Sequence, residues 1–106
     1  MEHRVHQQDG VTVVAFEGEI DLEVSPRARD LLLDCVGRGH DLRVDLAGVT
    51  YIDSSGVASL VEAFQSARRG GTAFALAGVS APVRRVLELG RLDRVFTILD
   101  DGDGRS

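Results

Sequence analysis

Apolar positions along the chain change period several times, and each change marks an element. Val11 to Phe16 (VTVVAF) is a short β-branched run bounded by Asp9-Gly10 and Gly18, the pattern of a mostly buried strand. Asp9-Gly10 is a two-residue hairpin signal, so His3 to Gln8 is expected to pair antiparallel with this run as an edge strand. Ser25 reads as an N-cap with Pro26 at the first helical position, and Ala28, Leu31, Leu32, Cys35 and Val36 follow at helical spacing until Gly37 and Gly39. Leu42, Val44 and Leu46 alternate with Arg43 and Asp45 in a strand that continues through Tyr51-Ile52, with a break expected at Ala47-Gly48. Val57, Leu60, Val61, Phe64 and Ala67 mark a second amphipathic helix that closes at Gly70-Gly71. Thr72 to Ala77 is a further strand, Ser80 is expected to cap a short third helix ending at Gly90, and Val95 to Leu99 is a last strand.

The order β-β-α-β-α-β-α-β places helices between strands, as right-handed crossovers in a parallel sheet require. The fold class is therefore α/β: one mostly parallel sheet with an antiparallel N-terminal edge strand and three to four helices. Residues 1–99 form the expected domain, and 100–106 (DDGDGRS) read as a flexible acidic tail. Partners of such sheets meet the loops at the carboxyl ends of the strands. Gly18 to Val24, Asp53 to Gly56 and Gly78 to Ser80 are expected to converge there.

Composition narrows the function more than the fold. A chain of 106 residues with 43% apolar and 27% charged residues suits one ordinary globular core. The formal charge of -5 speaks against nucleic acid, whose phosphates need a clustered basic surface. Residues 1–53 hold 11 acids and 5 Arg, whereas residues 54–106 hold 6 acids and 7 Arg, so the acidity belongs to the first half. The single cysteine, Cys35, can form neither an internal disulfide nor a cysteine metal cluster, which fits a reduced, cytoplasmic setting. No apolar run approaches the ~20 residues that span a bilayer, and no signal-peptide pattern is present, so a soluble protein without membrane insertion is expected.

Several chemistries lack their residues. Lysine is absent, which removes both a phosphate-binding GxxxxGK loop and Schiff-base catalysis. The histidines are His3, His6 and His40; the first two fall on the edge strand and the third precedes a parallel strand, away from the carboxyl-end loops. No metal site, cofactor or enzymatic activity is expected.

The segment Asp53-Ser54-Ser55-Gly56 lies between a strand ending at Ile52 and a helix whose apolar face starts at Val57. Either serine can serve as N-cap, and the free N–H groups and the helix dipole favour an anion there. A phosphoryl group on Ser54 would add about -1.5 to -2 charges beside Asp53 and, from the neighbouring loop, Asp21. No nearby arginine is committed to neutralise it. A partner docked on that rim would be repelled without any refolding of the domain.

Gly18-Glu19-Ile20-Asp21 and the stretch from Val44 to Gly56 (VDLAGVTYIDSSG) resemble the two signature stretches of the STAS family, and the likeness runs from about Val11 to Phe96. In its anti-sigma factor antagonist branch, the resemblance implies that Ser54 is phosphorylated by an anti-sigma factor with serine kinase activity. The unphosphorylated form would bind that kinase and release a sigma factor, and a serine phosphatase would restore it. By the same resemblance Asp21 and Asp53 flank the phosphoacceptor and shape the docking surface, Ser55 caps the helix, and small Gly56 and Ala58 let a partner's backbone approach. The alternative within the family is a STAS subunit of a lipid-transport ATP-binding cassette complex, which docks on its ATPase without phosphorylation. A monomer is the default, and the exposed edge strand leaves room for a dimer.

Overall fold

The computed structural model describes residues 1–99; the expected acidic tail lies outside them. Its first turn follows from backbone chirality. Asp9 and Gly10 both take positive φ, 53° and 81°, the pairing that two-residue hairpins need to match strand twist. β1 (Glu2–Gln8) accordingly pairs antiparallel with β2 (Val11–Ile20), from Gln8 opposite Val11 to Glu2 opposite Glu17.

The remaining strands, β3 (Leu42–Ile52), β4 (Phe74–Ala77) and β5 (Thr97–Leu99), are parallel to β2, and the sheet order follows the chain. Because right-handed crossovers in such an order all fall on one side, α1 (Ser25–Gly37), α2 (Ser54–Gly70) and α3 (Ala81–Leu89) share a face. The core lies between them and the sheet. Val14, Phe16, Val44, Leu46 and Leu76 meet Leu32, Leu60, Ala63, Val83 and Leu87, all buried, while Arg43 and Asp45 alternate onto the other face. The expected α/β class, with its antiparallel edge strand, is the one observed.

Local features depart from expectation for identifiable reasons. β3 does not break at Ala47-Gly48; it runs on, and its pairing with β2 shifts register twice, so β3 carries the extra residues as bulges. A Cβ on Gly48 would lie 2.7 Å from Glu17 Cγ, which accounts for glycine at that bulge. Ser25 is not the cap of α1 but its first residue, and it is buried; the carboxylate of Asp21 serves the loop before it instead. Ser80 precedes α3, but its hydroxyl donates to Val49 O (2.7 Å) rather than capping. β5 begins at Thr97 rather than Val95. Leu92–Arg94 form a 3-10 turn whose carbonyl of Leu92 takes the N–H groups of Val95 and Phe96, and the Phe96 ring packs 5.3 Å from that of Phe64.

Candidate functional site

The site is built where β2 and β3 end together. Ile20 lies opposite Ile52, and the Asp53 N–H donates to Ile20 O (3.3 Å). The first turn of α2 then lies directly on the strand ends. A Cβ on Gly56 would fall 2.6 Å from Ile52 Cγ1 and 2.8 Å from Ile20 O, so only glycine permits this approach. Gly56 is buried, which corrects the expectation that its small size admits a partner: it admits the protein's own strands. Ala58, one half-turn further on, is exposed.

Asp53 is the N-cap of α2, with an extended backbone (φ -109°, ψ -174°). Its Oδ1 accepts from the N–H groups of Ser55 (2.9 Å) and Gly56 (3.1 Å) and from the Ser55 hydroxyl (2.5 Å). Its Oδ2 reaches across to the β2–α1 loop and accepts from the Leu22 N–H (3.1 Å). The Ser55 hydroxyl and these backbone donors stabilise the charged form and hold the carboxyl below its ordinary value of 3.8. Asp21 works within the same loop: its Oδ1 accepts from Glu23 N (3.1 Å) and Val24 N (3.2 Å), and its carbonyl from Ser25 N (2.8 Å). The two aspartates thus fix one loop and one helix start as a unit.

The adjacent serines are differently disposed. Ser55, expected as a cap, is half-buried and gives its hydroxyl to Asp53. Ser54, the first residue of α2, is exposed, and its hydroxyl has no protein partner among the described residues. It is the accessible hydroxyl at the positive end of the helix.

Two of the three expected loops meet here. The third does not: β4 ends opposite Asp45, and Ser80 reaches β3 at Val49, short of Asp53. What replaces it is a groove of about 310 Å³ between α1 and α2, lined by Pro26, Arg29, Ser55, Ala58 and Glu62 among others. Its floor is closed by Ser59, whose hydroxyl donates to Ser25 O (3.2 Å) and Ser55 O (3.1 Å). Sequence reasoning missed both Arg29 and Leu22. Arg29 lies beside the motif but is engaged with Asp30 (3.4 Å) and Glu62 (3.8 Å). Leu22 projects from the loop with 73% of its surface exposed. The signal for Leu22 was there to read: a leucine enclosed by Glu19, Asp21 and Glu23 with no apolar periodicity to bury it.

Among the described residues no three His, Cys, Asp or Glu side chains gather as a metal site, and no helix is long and apolar enough to cross a membrane. A strand-end loop and a helix start locked together by one carboxylate, with an exposed hydroxyl beside it, is geometry for presenting a surface rather than enclosing a substrate.

Residues 2–102 match the STAS domain. The chain belongs to the STAS domain family. Within that family it is similar to the anti-sigma-B factor antagonist of Bacillus subtilis (strain 168), 29% identical over 100 residues that span 94% of this chain and 92% of the relative. The anti-sigma-B factor antagonist of Listeria monocytogenes is 35% identical over 82 residues, 76% of this chain and 72% of the relative. The crystal structure of an anti-sigma factor antagonist from Mycobacterium paratuberculosis superposes with a TM-score of 0.85 at 29% identity, covering 94% of this chain and 88% of that one. These relatives are named for opposing another protein, not for a reaction.

Proposed function

We propose that this STAS protein is an anti-sigma factor antagonist whose binding to an anti-sigma factor kinase is switched by phosphorylation of Ser54. The observation that carries this reading is the contrast between the two serines: Ser54 is exposed and its hydroxyl has no partner among the described residues, whereas the Ser55 hydroxyl is held by Asp53. The names of the relatives support the partner class. In the transfer, the Ser54 oxygen forms a bond to the γ-phosphorus of ATP, the bond to ADP breaks, and the hydroxyl proton passes to a base on the kinase.

The modified side chain then carries about -1.5 to -2 charges beside Asp53, at the rim where β2 ends in Glu19-Ile20 and the following loop carries Asp21 and Glu23. The helix N-terminus accommodates that charge, so the fold stays intact. Arg29 is shared between Asp30 and Glu62, so one positive charge already faces two carboxylates before the phosphate is added. A partner seated on the rim is displaced by repulsion and bulk, and a phosphatase reverses the change. In this reading Asp21, Asp53 and Ser55 position the docking surface, and exposed Ala58 is part of it.

Binding to the purified anti-sigma factor kinase tests the proposal. Ser54→Ala is expected to bind as the unmodified protein does and to take no phosphate, and Ser54→Asp to bind poorly. Equal binding by the two variants would overturn it and favour the transport-complex role, in which no serine is modified.

A further inference from the structure

We infer that Leu22 is the apolar anchor of this docking rim, and that the partner receives it in an apolar pocket bordered by Arg or Lys side chains. The inference rests on the proposed reading of the rim as a docking face and names the residue and the partner chemistry that reading leaves open. Single exposed leucines are ordinary on protein surfaces, so exposure alone decides nothing. Three further observations separate Leu22 from the others.

First, its backbone is immobilised. The Leu22 N–H is bound by Asp53 Oδ2, and the next two N–H groups are bound by Asp21 Oδ1, so the side chain is presented from a fixed loop. A pre-ordered contact loses less conformational freedom on binding than a mobile one. Second, the carboxylate that fixes Leu22 also caps α2 through the N–H groups of Ser55 and Gly56, so the loop carrying Leu22 is tied to the helix whose first residue is Ser54. Leu89, more exposed at 81%, ends α3 and has no such tie. Third, Leu22 lies in an acidic stretch: Glu19, Asp21 and Glu23 flank it in sequence, the Asp53 carboxylate holds its N–H, and the Asp21 carboxylate holds the next two N–H groups. An apolar tip within an acidic frame is matched by an apolar pocket within a basic frame, and complementary charge speeds encounter and sets partner choice. A phosphate on Ser54 adds its charge to the same frame beside the anchor.

The test uses the full chain and the purified kinase that phosphorylates Ser54, with dissociation constants and steady-state phosphorylation measured in parallel. Leu22→Ala is expected to raise both Kd and KM about tenfold or more, as hot-spot truncations do, with kcat within twofold. Leu22→Met is expected to stay near the parent. The double variant Glu19→Gln/Glu23→Gln is expected to flatten the rise of Kd with salt. Matched thermal midpoints check that the variants fold, as expected for exposed side chains. A change in Kd under threefold for Leu22→Ala, with the parent binding normally, overturns this inference alone. Failure of the parent chain to bind the kinase overturns the proposed function and this inference with it.

Discussion

At each end of the sheet an aspartate ties neighbouring segments together, yet the hydroxyls beside them have opposite fates. At the amino end, Asp41 Oδ1 accepts from Ala73 N (2.9 Å), joining the starts of β3 and β4. Thr12 stands nearby, only 2% exposed, its hydroxyl accepting from Gln7 Nε2 (2.8 Å) and sharing a hydrogen bond with His40 Nδ1 (3.1 Å). At the carboxyl end, Asp53 uses both oxygens on backbone donors and the Ser55 hydroxyl, while Ser54 is left in solvent. One hydroxyl is consumed in holding the fold and the other is spared from it. The Ser54 hydroxyl is left exposed here because its neighbour, Asp53, satisfies the helix start in its place.

The largest effect should come from reversing that difference. Ser54→Ala is expected to abolish phosphate incorporation, whereas Thr12→Val leaves it unchanged, as read by intact mass after incubation with kinase and ATP. Next comes the close approach that builds the rim. Gly56→Ala gains about 1 kcal/mol of helix propensity. Against that stands overpacking of about 1–3 kcal/mol, and contact with the Ile20 carbonyl and Ile52 leaves little room to yield, so the unfolding midpoint in urea should fall. Thr12→Val should lower stability by about 1 kcal/mol, the net worth of a hydrogen bond, because its partners can turn to water.

The smallest effect sharpens the role of Asp53. Its carboxyl titrates below 3.8 in the folded protein, so its stabilising contribution is complete above the ordinary value and is lost as pH falls through the lowered one. Asn is also a good N-cap but does not ionise in this range. Asp53→Asn should therefore flatten the decline in stability below about pH 4, measured by urea unfolding across the acid range. An unchanged acid slope would assign the decline to other carboxylates.

The hairpin at Asp9-Gly10, the parallel order and the placement of DSSG at a helix start were all legible, because each rests on local chirality or on the period of apolar positions. The capping of α2 was not. Asp53, Ser54 and Ser55 are three consecutive residues that can each cap, and only the extended backbone at Asp53 selects it. The role of Gly56 depends on Ile20, distant in sequence, and those of Leu22 and Arg29 on contacts to Asp53 and Glu62 across elements. The strand expected from Val95 starts only at Thr97, because the N–H groups of Val95 and Phe96 go to Leu92 O and the Phe96 ring packs in an aromatic cluster, contacts that no local apolar pattern announces.

The most direct test of the central claim is intact-mass analysis of the protein purified from its native host, with fragmentation to place any phosphate. A single phosphate on Ser54 is the expected result. Phosphate on Ser55 instead, or none across growth conditions and stresses, would contradict the account.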